Sequence, residues 1–327
     1  MTHAPNTLSL VADIGGTNTR VALADGTRLL PDTIRRYRNA GYAGLETVLR
    51  EYVATEGDVN AKAACVAVAG PVRDGRGTLT NLDWTIDKPT LQRATGAETV
   101  SILNDLQAQG HALGHVDPDN IRSIVPGADA GPQAAQLVIG IGTGFNMAPV
   151  LDPDTGRIVT PSESGHANLP IRNARELALC EFVSTAHGFP AVEDVLSGRG
   201  LERVYAFLGQ EASDPREAQA KDIMAACADG SDARAVQAAK MFTRLLGTVA
   251  GNLALIQLPF GGIYLVGGVA RAFAPYLNDF GFTDAFRDKG RFAGFMNNFA
   301  VNVIEDDYAA LTGSANHLVA LLASVAD

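Results

Sequence analysis

From Leu8 onward the apolar positions fall into short runs closed by glycine, the pattern of buried strands ended by turns. Leu8 to Asp13, Thr19 to Asp25 and Thr33 to Arg38 read as an antiparallel meander, with Gly15-Gly16 and Gly26 at its bends. Between Tyr42 and Ala54 the period lengthens, and Leu45, Val48, Leu49, Tyr52 and Val53 form a helical stripe. Ala63 to Ala69 returns to strand and stops at Gly70-Pro71. Asp87 is placed to cap a short helix with Pro89 in its first turn, and Thr99 to Leu103 is one more buried strand.

The pattern restarts after Gln136. Leu137 to Ile141 is apolar, Gly142-Thr143-Gly144 turns the chain, and Met147 to Leu151 leads to Asp152, repeating the layout from Asp13 to Asp25. Two related lobes, each opening with a glycine-threonine hairpin, are expected. Asn173 to Leu258 is mainly helical, with stripes such as Leu177, Cys180, Phe182 and Val183. Gly262 to Val266 is a strand ending in Gly267-Gly268, Val301 to Ile304 another, and Tyr308 to Val325 a final helix that could return to the first lobe. Strands alternating with helices predict an α/β fold with a mixed sheet and helical cover in each lobe.

Composition narrows the class. A chain of 327 residues with 46% apolar and 19% charged positions and 34 glycines is globular and long enough for two cores. A net charge of −10 disfavours a nucleic-acid partner. The longest apolar stretch, Leu245 to Leu258, is interrupted by Gly247, Thr248, Gly251, Asn252 and Gln257, so no membrane span and a cytoplasmic location are expected. Cys65, Cys180 and Cys227 are odd in number and widely spaced, which predicts buried thiols rather than disulfides or a zinc site.

The candidate chemistry lies where strands end. Asp13-Ile14-Gly15-Gly16-Thr17-Asn18 follows an apolar strand, and its glycines would let backbone N–H groups approach phosphate oxygens. Gly142-Thr143-Gly144 offers a second such turn. Gly267-Gly268 permits either close packing or the approach of a flat adenine. Asn104-Asp105 closes its own strand and would put a carboxylate at the edge where open α/β sheets bind ligands, although Asp105 also suits capping the helix Leu106 to Leu113. Glu163-Ser164-Gly165-His166 and Glu193 supply loop groups that suit a polyol. Neither G-x-x-x-x-G-K-[ST], a strand-linked G-x-G-x-x-G, nor G-x-S-x-G is present.

These segments, with Thr80-Asn81, Trp84, Val195-Leu196-Ser197-Gly198, Gly251-Asn252-Leu253-Ala254, Phe260-Gly261-Gly262 and Asp288-Lys289-Gly290-Arg291-Phe292, resemble the bacterial glucokinase family of the hexokinase and actin-like ATPase superfamily. The resemblance spans nearly the whole chain. It implies a two-lobed actin-like (ribonuclease H-like) ATPase fold with the site in the interdomain cleft, a small domain of residues 1–110 plus 306–327, and a large domain of residues 111–305. It also implies phosphoryl transfer from ATP to the 6-hydroxyl of D-glucose, Mg²⁺, and a homodimer. By resemblance, Asp105 is the general base and Asn104, Asp105, Glu163, His166 and Glu193 hold the sugar. Ala12, Asp13, Ile14, Gly15, Gly16, Thr17, Asn18, Gly142, Thr143, Gly144, Gly267 and Gly268 would contact the nucleotide, with Asp13 near the metal.

Where family members often carry glycine, this chain has Ala12, Asn146 and Ser164, and Phe145-Asn146 predicts a bulkier second phosphate loop. The cysteine-rich zinc motif of the related ROK kinases and repressors is missing, and only seven residues precede Leu8, too few for a repressor's DNA-binding module. Two alternatives stand beside glucose phosphorylation: a kinase for another hexose such as mannose or fructose, and a sugar-binding sensor without catalysis. A sensor would have no need of Asp13 and Asp105.

Overall fold

The computed structural model describes residues 8–79 and 82–326, so the Thr80-Asn81 signature lies outside the described residues. The chain divides into two compact units, Met1–Asp117 with Asp306–Asp327, and Pro118–Glu305.

In the first unit, β1 (Leu8–Ile14) and β2 (Asn18–Asp25) form a hairpin, and the short β3 (Arg28–Leu29) and β4 (Arg35–Arg38) both pair with β2. Helix α1 (Leu45–Thr55) crosses to β5 (Ala63–Val68), parallel to β1. A small meander, β6 (Val72–Arg73), β7 (Arg76–Thr78) and β8 (Thr85–Asp87), leads into α2 (Lys88–Thr95). Asp87 caps α2 as expected, accepting from the Thr90 amide at 2.9 Å. The chain then enters β9 (Thr99–Asn104), parallel to β5, and α3 (Asp105–Ala112). The central order is β3-β2-β1-β5-β9.

One face of this sheet buries Leu10, Val66, Leu49 and Tyr52 among others, while the opposite face buries Val11, Cys65 and Ala67. Alternation along β1 and β5 sends successive side chains to the two cores. The second core is closed by α10 (Ala309–Ala326), through Ala310, Leu311, Ala315 and Leu318. Burial pushes the Cys65 thiol up to about 12, in keeping with an inert core cysteine.

The second unit repeats the strand plan. After β10 (Ile121–Val125), β11 (Gln136–Ile141) and β12 (Phe145–Leu151) form a hairpin, with β13 (Ile158–Val159) on its edge. Four helices follow: α4 (Ala174–His187), α5 (Gly198–Glu211), α6 (Ala220–Asp229) and the 25-residue α7 (Ala233–Gln257). Strand β14 (Ile263–Val266) is parallel to β11, α8 (Gly268–Phe273) and α9 (Phe282–Arg287) come next, and β15 (Val301–Ile304) is parallel to β14. The order β10-β15-β14-β11-β12-β13 contains, in β12-β11-β14-β15, the same hairpin-plus-two-parallel plan as β2-β1-β5-β9. The internal repeat expected from the two glycine-threonine hairpins is therefore real at the level of topology.

Two details differ from the pattern read in the sequence. On α4 the buried stripe is Leu179, Cys180 and Val183, whereas Leu177 is 46% exposed, because at about 100° per residue it points roughly 110° away from the centre of that stripe. Strand β10 was not anticipated, since Arg122 and Ser123 give it no clear apolar alternation.

Helices α10 and α3 approach closely at Gly313, where a Cβ would overlap the carbonyl oxygen of Ala108. Gly313→Ala is expected to destabilise the protein by about 1–3 kcal/mol, the usual cost of overpacking. A lower urea midpoint with an unchanged m-value would check this.

Candidate active site

Parallel pairing brings the first unit's chemistry to one sheet edge. Ile14 is level with Val68 and Val68 with Asn104, so the turn after β1 and the start of α3 leave the sheet at the same height. Two strand spacings separate them, roughly 10 Å. Asp13 faces its cross-strand partner Arg20 at 3.4 Å, with only 19% of its side chain exposed. Burial pushes the Asp13 carboxyl above its ordinary range, and the Arg20 guanidinium pulls it partly back.

The turn itself is held from beneath by Asn39, which is buried. Its Nδ2 donates to the Gly15 carbonyl at 2.7 Å, its Oδ1 accepts from the Thr19 hydroxyl at 2.8 Å, and its own amide donates to the Thr17 carbonyl at 2.9 Å. Gly15 has ordinary backbone angles, and a Cβ there would meet only the Asn18 carbonyl at 3.5 Å. The fold tolerates a side chain at that position, and the Gly15 amide itself donates to the Asn18 carbonyl at 3.0 Å, closing the turn.

At the same end of the parallel strands, after β9, α3 begins. Asn104 is its N-cap, with Oδ1 accepting from the Gln107 amide at 2.6 Å while Gln107 Oε1 accepts from the Asn104 amide at 3.1 Å. Asp105 is therefore the first helical residue, not the cap. Its Oδ1 accepts from the Leu106 amide at 2.9 Å. The capping role considered for Asp105 passes to Asn104, because the helix starts one residue earlier than the apolar pattern indicates.

In the second unit, the turn after β11 and the turn after β14 also share an edge, since Gly140 is level with Val266. Gly267 has φ +101°, and a Cβ on it would press on the Ile141 carbonyl, so this glycine is required by packing. At Gly268 and Gly142 no atom lies near the position of a Cβ. Of the four, Gly144 is the one shaped by a side chain: its missing Cβ makes room for the Glu193 carboxylate, which accepts from the Phe145 amide at 3.0 Å.

Glu193 thus ties the glycine turn to a second loop. Residues 164–169 run beside 190–195, joined by Val192 N to Ala167 O and Leu169 N to Pro190 O, both 2.9 Å. Gly165 packs so tightly on the Phe145 carbonyl that no Cβ fits. His166 and Glu193 consequently line one cavity of ≈ 310 Å³, together with Phe189, Ala191, Asp194, Ser197, Arg199 and Arg203. Arg203 is engaged by Asp194 at 2.7 Å. Glu163 begins the turn that ends in His166, and its Oε2 accepts from Asn146 Nδ2 at 3.3 Å. Charged groups, an imidazole and a half-open hollow of this size suit a polyhydroxylated molecule.

The glucokinase family model matches residues 10–321. The chain belongs to the glucokinase family. It is 32% identical to the glucokinase of Saccharophagus degradans over 94% of this chain and 96% of that protein. Its structure resembles the crystal structure of a glucokinase from an Antarctic psychrotroph, with a TM-score of 0.84, 26% identity, and 95% and 98% of the two chains covered. A ROK family glucokinase from Streptomyces griseus, solved with glucose and AMPPNP, shares the fold at a TM-score of 0.63 and 19% identity, with 95% and 98% covered. The mixed-sheet architecture is the actin-like one that the sequence led us to expect.

Within this glucokinase-family chain, several signature residues prove to be packing devices. Gly251 on α7 admits Lys289, whose Nζ donates to the Thr248 carbonyl at 3.0 Å. Ser197 caps α5 through the Gly200 amide at 3.0 Å, and Gly198 N donates to the Gly142 carbonyl at 2.9 Å. The expectation of a bulkier second phosphate loop needs correction. Phe145 is buried in the core, and the Asn146 side chain turns onto residues 162–164, so neither adds bulk to the Gly142–Gly144 turn. Asn39 escaped the sequence reading altogether, and its only signal was a polar residue directly after the alternating strand β4.

Because Arg20 lowers an otherwise raised Asp13 pKa, Arg20→Met is expected to raise it further. A carboxyl with a raised folded-state pKa favours the folded state below that pKa, and this contribution is lost as pH rises from the ordinary 3.8 through the folded value. Carbon-detected NMR titration of Asp13 in wild type and variant reads the direction. Asn39→Ala should cost about 1–3 kcal/mol in denaturant unfolding, because it leaves buried groups of the β1–β2 turn unpaired.

Proposed function

We propose that this protein is an ATP-dependent glucokinase that transfers the γ-phosphoryl group to the 6-hydroxyl of D-glucose, giving glucose 6-phosphate and ADP. The observation that carries the reading is the register Ile14–Val68–Asn104, which puts an open glycine turn with a buried aspartate on the same sheet edge as the Asp105 carboxylate. Asp105 accepts the proton of the 6-hydroxyl as that oxygen becomes bonded to phosphorus. Its Oδ1 contact to the Leu106 amide fixes the carboxylate's direction. Asn104, with Oδ1 committed to the cap, offers Nδ2 to a sugar oxygen.

Glu163, His166 and Glu193 hold the remaining hydroxyls, a role supported by the shared cavity of His166 and Glu193. The Asp13–Asn18 and Gly142–Gly144 turns receive the phosphates through N–H groups other than those of Gly15 and Gly142, which donate to the Asn18 and Gly144 carbonyls, and Gly267-Gly268 lies along the adenosine, with Ala12 and Ile14 shaping the strand end. Mg²⁺ would neutralise phosphate charge when bound with the nucleotide. Asp13 is the residue that would hold it, since Mg²⁺ commonly takes one or two carboxylates and completes its shell with phosphate and water. Among the described residues no group of three or more His, Cys, Asp or Glu side chains is placed to hold a metal ion.

Cytosolic location, a homodimer and supply of glucose 6-phosphate to glycolysis belong to the same proposal. No described helix is long and apolar enough to cross a membrane. The exposed Ile256, Leu258, Phe260 and Phe292 of the second unit are compatible with a covered face.

A coupled assay of ADP release across glucose, mannose and fructose tests the reading. Glucose is expected to give the highest kcat/KM, another hexose in first place would reassign the acceptor, and no turnover with sugar binding retained would favour the sensor. Asp105→Asn should lower kcat by about three orders of magnitude, near the span of general-base catalysis, with glucose still bound. Glu163→Gln and His166→Ala should raise KM for glucose more than for ATP, and the reverse split would move them to the nucleotide.

A further inference from the structure

We propose that Asn146 is a positioning residue for the sugar, acting through Glu163 and the turn that carries His166; the proposal rests on the glucokinase reading above. Asn146 stands second in β12, opposite Gly140. Its side chain leaves the sheet and clasps a segment 16 to 18 residues further along the chain. On one side Nδ2 donates to the Ser162 carbonyl and to Glu163 Oε2, the latter at 3.3 Å. On the other side Oδ1 accepts from the amides of Met147 at 2.8 Å and Ser164 at 3.0 Å, and lies 2.9 and 3.2 Å from the Ser162 and Ser164 hydroxyls.

The partners fix which end of the amide is which. Two backbone N–H groups face the oxygen, and a carbonyl with a carboxylate faces the nitrogen, so a flipped amide would meet like groups at both ends. A side chain engaged this way holds the backbone of residues 162–164 and one oxygen of Glu163 together. The other Glu163 oxygen remains the one that can accept from a sugar hydroxyl. Gly165, immediately after, is pressed on the Phe145 carbonyl, and His166 then enters the cavity it shares with Glu193. The clasp and the Glu193 carboxylate grip the start of β12 at consecutive residues, Phe145 through its amide and Asn146 through its side chain. Acceptor-side groups from two separate stretches of sequence, 162–166 and Glu193, are thereby referred to one point of the sheet.

The specific consequence is that Asn146 governs how well glucose is held rather than how the phosphoryl group moves. Asn146→Ala is expected to raise KM for glucose, and its Kd by calorimetry without nucleotide, about tenfold, the scale of losing a hydrogen bond to a charged group. KM for ATP should stay within twofold and kcat within threefold. Asn146→Asp keeps an acceptor for the Met147 and Ser164 amides but loses the donor to Glu163. It should therefore match the alanine variant toward glucose, while amide hydrogen exchange at Ser164 stays slower than in the alanine variant.

Glucose KM within twofold of wild type in both variants, or glucose and ATP KM rising in parallel, overturns the assignment. Exchange at Ser164 unchanged by Asn146→Ala also overturns it, independently of any activity. Wild-type protein that phosphorylates no hexose defeats the kinase reading and this proposal together, whereas normal wild-type turnover with unaffected variants defeats this proposal alone.

Discussion

Strands that run parallel in register share one carboxyl edge, so whatever follows each of them, a tight hairpin turn or a longer crossover, starts at that edge. In this protein that constraint decides where chemistry is placed. Within the first unit, β1, β5 and β9 run the same way in level register, so the Gly15-Gly16 turn and the start of α3 emerge from one edge. Within the second, β11 and β14 do the same for Gly142–Gly144 and Gly267-Gly268. Secondary devices then set each loop: Asn39 beneath the first turn, the Asn104–Gln107 box at α3, and the Glu193 carboxylate on the second turn.

Much of this plan was legible from residue order, because strand ends marked by glycine are local signals. The two hairpins, the cap at Asp87, the strand ending in Asn104-Asp105 and the final helix needed only a few neighbouring residues to be recognised. The supports were not legible. Asn39 meets Gly15, 24 residues away, and Glu193 meets Phe145, 48 residues away, and nothing near Asn39 or Phe145 announces the partner. Asn146 read as added bulk on a phosphate loop because a sequence gives residue size but not side-chain direction. Leu177 failed for a related reason, since one residue of phase error on a helix moves a side chain by about 100°.

Glycines divide along the same line. Gly144, Gly165, Gly267 and Gly313 are small because another atom occupies the space of a Cβ. Gly142 and Gly268 have that space empty, and Gly15 has only an ordinary contact there. A motif search gives both kinds equal weight, whereas the structure separates those the packing demands from those whose Cβ space is open. Open space alone is common, since Gly41 and Gly131 have it too; what sets Gly15, Gly142 and Gly268 apart is their place at the carboxyl edges of the two sheets, which agrees with the phosphate-handling role proposed above.

Helix α10 closes a core whose strands lie far earlier in the chain, since Leu311, Ala315 and Leu318 pack with Val11 and Cys65. On the ribosome, the segment Pro118–Glu305 is continuous and has all its strands before the first unit has its last helix. The amino-terminal sheet must therefore wait, with one apolar face only partly covered, until α10 has been made. A nascent chain that has not yet reached α10 leaves part of that face open to water, so this helix is the element that seals the first unit's second core.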